Sequence, residues 1–192
     1  MTADEKRAER TRALARRAAA YERHGRNAGE ALARHGLAFL TLAPSSVISG
    51  FSAIRDEIDP APLLKRLSAE GHRLALPVMQ GKGRPLLFRA WVPGDATAAA
   101  QWGIAEPLPE KPALEPDVVL VPLLAFDAHG YRLGYGGGFY DRTLGRLRGK
   151  KPVTAVGIGY DELRIDAVPH LDYDQRLDWV LTPSGPLRCS GP

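Results

Sequence analysis

Apolar positions fall into short blocks along the 192-residue chain, and the blocks follow two rhythms. From residue 3 to residue 36 they are sparse, with Leu14, Tyr21 and Leu32 set among Ala, Arg and Glu and Leu37 just beyond. High helix propensity with a narrow apolar stripe predicts one helix to about His24, a break near residues 25–27, and a second helix to about Gly36. Residues 46–52 (SVISGFS) are short and β-branched, which predicts a strand. Pro60 then sits where a first helical turn accepts proline, and Leu63, Leu64 and Leu67 mark a helix stopped by Gly71. Residues 73–78 (RLALPV) and 85–92 (PLLFRAWV) read as strands. Residues 93–116 are proline-rich without periodicity, and read as a long ordered surface loop. Residues 117–126 (DVVLVPLLAF) form an almost unbroken apolar run, as in a strand covered on both faces. A glycine loop over residues 131–140 leads into a short helix, residues 140–147, with Leu144 and Leu147 inward. Residues 152–158 and 177–181 complete the strands.

Strands alternating with helices and joined by apolar runs predict one α/β layered domain. Its mostly parallel sheet is expected to be flanked by helices on both faces, with N-terminal helices added. The domain is expected over residues 1–182, with residues 183–192 a frayed tail. Apolar residues make up 44% and charged residues 25%, the balance of a globular protein. One cysteine, Cys189, excludes a disulfide framework and a thiolate metal cluster. The charged start MTADEKRAER lacks the apolar segment of a secretory signal, and no run is long enough to span a bilayer. A cytoplasmic monomer with no membrane partner is expected.

The +4 net charge resides entirely in residues 1–36, which hold nine Lys/Arg against five Asp/Glu. Nucleic acid is one partner such a helix could serve, yet no aromatic platform or reading motif accompanies it and the remainder is neutral, so none is expected. A solvated helix face or a small polyanion such as a nucleotide fits better. His24, His35, His72, His129 and His170 have no zinc spacing, and no GxSxG elbow is present.

The chemistry concentrates in residues 132–142 (RLGYGGGFYDR). Four glycines in five positions, after a buried strand and before a helix, let main-chain N–H groups converge into an anion nest backed by a helix N-terminus. Arg132 can add a guanidinium fork. Asp141 in the first helical turn complements the helix dipole. Beside a bound phosphate, however, it needs an intervening cation, for which Mg²⁺ is suited.

The string LAFDAHGYRLGYGGGFYDR (residues 124–142) resembles the signature of the 5-formyltetrahydrofolate cyclo-ligases, also called methenyltetrahydrofolate synthetases. Lys6 with Arg10 resembles the family's Lys-x-x-x-Arg, Asp56-Glu57-Ile58-Asp59 its acidic turn, and residues 102–107 (WGIAEP) its W/F-x-I-x-x-P segment. Residues 157–169 and 174–178 follow its C-terminal order and spacing. The resemblance implies ATP-dependent closure of 5-formyltetrahydrofolate to 5,10-methenyltetrahydrofolate, with ADP and phosphate released. It implies that ATP meets Lys6, Arg10, Arg132, Leu133, Gly134, Tyr135, Gly136, Gly137, Gly138, Phe139 and Tyr140, and that Asp141 and Asp174 share Mg²⁺. Glu57 would accept hydrogen bonds from the pterin edge of the reduced folate and Trp102 would stack on the ligand. Tyr140 would lie between the two substrates, and Arg132 and Tyr140 would serve the reaction itself.

Without the resemblance, Lys6 and Arg10 read as a solvent-facing ladder with Glu5 and Glu9, and Glu57 as a loop carboxylate beside Arg55. Leu163, Leu171 and Tyr173 stand where the family usually carries Gln, Glu and His, all expected near the site. A relative that binds nucleotide or folate in a regulatory role is the alternative these positions favour.

Overall fold

Gly25, with φ of 48°, separates helix α1 (Ala3–His24) from α2 (Arg26–His35), so the break falls where the sequence places it. The computed structural model describes residues 3–100 and 103–191. After α2 come β1 (Val47–Ser49), α3 (Ala61–Ala69), β2 (Arg73–Val78) and β3 (Leu87–Ala90). Next are the short strands β4 (Thr97–Ala99), β5 (Ala105–Pro107) and β6 (Ala113–Leu114). The chain continues through β7 (Val118–Pro122), β8 (Ala125–Phe126), β9 (Arg132–Leu133) and α4 (Phe139–Arg148). It ends with β10 (Thr154–Ile158), β11 (Trp179–Thr182) and β12 (Gly185–Arg188).

Eight strands form the main sheet in the order β12-β11-β10-β7-β1-β2-β3-β6. Its middle, β11-β10-β7-β1-β2, is parallel throughout, and the antiparallel strands β12, β3 and β6 extend its edges. Val118, Val119, Leu120 and Val121 on central β7 are all buried, as a strand covered on both faces requires. The mixed α/β domain with a mostly parallel sheet is therefore as the sequence predicts. Counted in chain order, the parallel strands run 2-1-3-4-5, so the winding reverses between β1 and β7. Open sheets of this kind hold ligands at that reversal, beyond the carboxyl ends of the strands.

Three expectations are corrected. The apolar run over residues 117–126 is two strands, because the chain leaves the sheet at Pro122 and pairs β8 with β9 instead. The stretch 93–116 contains β4, β5 and β6, whose two- and three-residue lengths leave no periodicity to read. Residues 185–188 of the expected frayed tail pair with β11 in register from Trp179↔Arg188 to Thr182↔Gly185. Among the described residues no helix is long and apolar enough to cross a membrane.

The β8–β9 hairpin anchors the glycine loop. Buried Asp127 accepts the N–H groups of His129 and Tyr131 at 2.9 and 3.1 Å, closing the turn as a side-chain mimic of the backbone. Gly130 completes it at φ 87°, and a Cβ there would lie 2.3 Å from the Leu177 carbonyl oxygen. A small apolar cluster of Ala13, Leu124, Ala125, Leu133 and Val168 then clamps α1 against the hairpin. Leu133→Ala is expected to cost about 2–4 kcal/mol through the cavity it leaves. Thermal unfolding should show a Tm lower by roughly 5–15 °C for a chain of this size.

Candidate active site

A cleft of about 1530 Å³ opens at the winding reversal, walled by the ends of β1, β2 and β7, by α1, and by the glycine loop. A single small ligand usually occupies roughly 300–1,000 Å³, so this cleft has room for two. Lys6, Arg10, Glu57, residues 132–141 and Asp174 all line it. Trp102 lies outside the described residues.

One end is built on the glycine loop. Among the described residues, the backbone N–H groups of Tyr135, Gly136, Gly137 and Gly138 have no backbone acceptor, which leaves them for an anion. Gly138, at φ 64°, is the N-cap of α4, and the helix has no side-chain cap. Arg10 donates from Nε to the Gly134 carbonyl at 3.0 Å, and its guanidinium lies 3.3 Å from where a Cβ on Gly136 would be. Lys6 pairs with Asp174 Oδ2 at 2.7 Å. Glu9 is instead taken by Arg12 and Arg16, so Lys6 and Arg10 form no ladder with it and turn to the cleft. Arg142, which the sequence did not single out, donates to the Gly137 carbonyl and lies over the Phe139 ring.

Asp141 and Asp174, 33 positions apart, arrive at the same end. Asp141 Oδ1 accepts the N–H of Gln175, next to Asp174, at 3.0 Å, and the Arg132 guanidinium at 2.7 Å. Asp174 Oδ2 accepts Lys6 and the N–H of Leu171. The other oxygen of each carboxylate has no protein partner among the described residues. Asp141 therefore makes no cap on its own helix; it ties α4 to the segment bearing the second acid. Arg132, with 5% of its side chain exposed, is committed to Asp141 and the Gln175 carbonyl. The fork expected to grip phosphate instead holds a carboxylate in place.

The other end is built on the acidic turn after β1. Glu57 is 7% exposed, accepts the Ile54 N–H at 3.0 Å on Oε2, and accepts the Tyr135 hydroxyl at 3.1 Å on Oε1. Burial, above all, pushes its carboxyl above the usual range; the Ile54 N–H, Arg17 and Tyr135 oppose that rise. Its basic neighbour is thus Arg17 from α1, at 3.5 Å, in place of the Arg55 expected from sequence. Tyr135 contributes its backbone to the nest but sends its side chain to this end. Half-buried Tyr140 lines the cleft within reach of the charges of both Glu57 and Arg132, its phenol kept protonated by burial above all and by the Glu57 charge.

Arg17 is the residue the sequence reading missed. It is 1% exposed and bonds Asp56 Oδ1 at 2.6 Å and the Tyr135 oxygen. Its signal was the spacing: Lys6, Arg10, Ala13, Arg17 and Ala20 fall on one helical face, and the last three are wholly or almost wholly buried. Of the three departures, Leu163 lies in the main core at 0% exposure and does not line the cleft. Leu171 and Tyr173 do stand at the cleft, Tyr173 at 69% exposure.

The fold and cleft define a doubly wound α/β protein with a glycine loop of open backbone N–H groups at its switch point. Residues 2–183 match the model of the 5-formyltetrahydrofolate cyclo-ligase family, and the chain belongs to that family. It is 32% identical over 161 residues to the Escherichia coli 5-formyltetrahydrofolate cyclo-ligase, covering 81% of this chain and 88% of that one. It is 37% identical over 163 residues to the Mycolicibacterium smegmatis cyclo-ligase, covering 81% and 82%. The Aquifex aeolicus 5,10-methenyltetrahydrofolate synthetase structure superposes with a TM-score of 0.75 at 25% identity, over 97% of this chain and 94% of that one.

Proposed function

We propose that this chain closes 5-formyltetrahydrofolate to 5,10-methenyltetrahydrofolate at the expense of ATP. The observation that carries the reading is one cleft with two chemically distinct ends. At one, Lys6, Arg10 and the open amides of the glycine loop meet the paired acids Asp141 and Asp174. At the other, a buried carboxylate faces the same space. The first suits a triphosphate and the second a hydrogen-bonding heterocycle.

In the reaction, the formyl oxygen displaces ADP from the γ-phosphorus to give an iminium phosphate. N10 then adds to the activated carbon, loses its proton, and the phosphate leaves as the C–O bond breaks. Such chemistry asks the protein for alignment and charge neutralisation more than for proton transfer. Lys6 and Arg10 set positive charge beside the phosphates, and the glycine-loop amides are fixed donors that need no reorganisation. Glu57 orients the pterin by accepting from its ring N–H and amino group. Tyr140 separates the substrates and offers a neutral hydroxyl toward the reacting centre. Arg132 acts through Asp141, which it holds facing the cleft.

The donor set fits Mg²⁺. Two carboxylate oxygens remain, and no cluster of three or more metal-binding side chains occurs among the described residues. Phosphate oxygens and water would complete its shell, as Mg²⁺ prefers. When bound, the ion would neutralise phosphoryl charge.

The test is the methenyltetrahydrofolate absorbance produced from 5-formyltetrahydrofolate with ATP and MgCl₂. Product appearing only with both, one ADP per ring closed, is the expected result. Nucleotide binding without product would replace the enzyme reading with a regulatory one.

A further inference from the structure

A buried guanidinium is costly unless it is paired, so the partners of Arg17 reveal what it is kept for. Every polar partner of Arg17 among the described residues lies on a segment that builds the cleft: Asp56 and the cleft-lining Glu57 on the acidic turn, and the cleft-lining Tyr135 on the glycine loop. Its Nε has no hydrogen-bond partner among the described residues, and its guanidinium lies over the Tyr135 ring. The bonds run in one direction. Arg17 Nη1 donates to the Tyr135 oxygen, and the Tyr135 hydroxyl donates to Glu57 Oε1. A donor acting on the phenol oxygen strengthens the hydrogen bond that phenol gives.

We propose that Arg17 is a positioning residue of the reaction proposed above: acting directly and through the Tyr135 side chain, it holds Glu57 as an ionised acceptor for the pterin. This rests on that reading of the cleft and goes beyond it, because Arg17 does not itself line the cleft. The groups facing Glu57 are Arg17 from α1, Tyr135 from the glycine loop, Tyr140 from α4, and Asp56 on its own turn, while Arg55 acts on Asp56. Among the described residues, Arg17 is the one cation directly paired with it. Without that charge, the rise that burial causes is less opposed, and Glu57 takes up a proton at a still higher pH, as a donor for which the pterin edge has no use.

The experiment is calorimetric binding of 5-formyltetrahydrofolate and, separately, of Mg-ATP between pH 5 and 8, for the wild type, Arg17→Met, Arg17→Lys and Tyr135→Phe, with turnover alongside. Arg17→Met should weaken folate binding about tenfold, leave nucleotide Kd unchanged, and raise the pH at which folate binding is lost by about one unit. Arg17→Lys should recover most of the loss, and Tyr135→Phe should weaken folate binding by about threefold. Equal weakening of both ligands, an unmoved pH profile, or no recovery with lysine would overturn the proposal. If Arg17→Met does not fold, an unchanged folate Kd in Tyr135→Phe overturns it. Wild-type folate binding without turnover would contradict the ligase reading alone, since the binding comparison still decides the role of Arg17.

Discussion

Asp141→Asn should lower turnover by about a hundredfold or more, the usual loss when a group that neutralises transition-state charge is removed. The substitution is nearly isosteric, and asparagine keeps an oxygen that can accept the Gln175 N–H and Arg132, both now bonded to Oδ1. What disappears is the negative charge on the oxygen facing the cleft. Stability should fall by only about 1–2 kcal/mol, the worth of a charge-assisted hydrogen bond made neutral. Steady-state kinetics and thermal unfolding on the same preparation separate the two effects. A stability loss large enough to account for the lost turnover would mean that Asp141 serves only to join α4 to the segment around Asp174.

Glu57→Gln should cut kcat/KM for the folate by about a hundredfold, as expected when a site built to accept two hydrogen bonds offers a donor in place of one acceptor. The KM for ATP should stay near its wild-type value, since Glu57 bonds the Tyr135 side chain and the Ile54 N–H and none of the glycine loop's backbone N–H groups. The accompanying stability change has the opposite sign. The folded-state pKa of Glu57 lies above its unfolded value, so the folded protein binds that proton more tightly. Its ionisation therefore costs stability as pH rises through the raised pKa, and a neutral side chain avoids that cost. The variant should melt no lower than the wild type at pH 8, and the difference should vanish on acidification below the unfolded pKa. In the wild type, folate kcat/KM should fall as pH drops through the same raised pKa. A variant that loses both folate use and melting temperature would show Glu57 to be a structural carboxylate.

Much of this is legible in the sequence alone. The buried run of β7, the breaks at Gly25 and Gly71, and the glycine loop opening α4 each follow from local chemistry that tertiary context did not overrule. The cleft residues were legible only through the resemblance, because nothing local says that Lys6 meets a residue 168 positions away. Arg17 escaped for a physical reason: an arginine on an alanine-rich helix is usually solvated, and only the small Ala13 and Ala20 beside it betray a buried face. Leu163 misled in the opposite direction, since its place next to a polar pattern suggested the cleft while its side chain belongs to the core. Short strands such as β6 and β12 leave no pattern of their own; their partners β3 and β11 create them.

The most direct measurement is the anomalous scattering of Mn²⁺ in crystals grown with a non-hydrolysable ATP analogue. The expected map shows one Mn²⁺ peak bridging Asp141 and Asp174, with the triphosphate over residues 134–138. A nucleotide seated elsewhere, or a metal peak contacting neither acid, would contradict the assignment of this cleft.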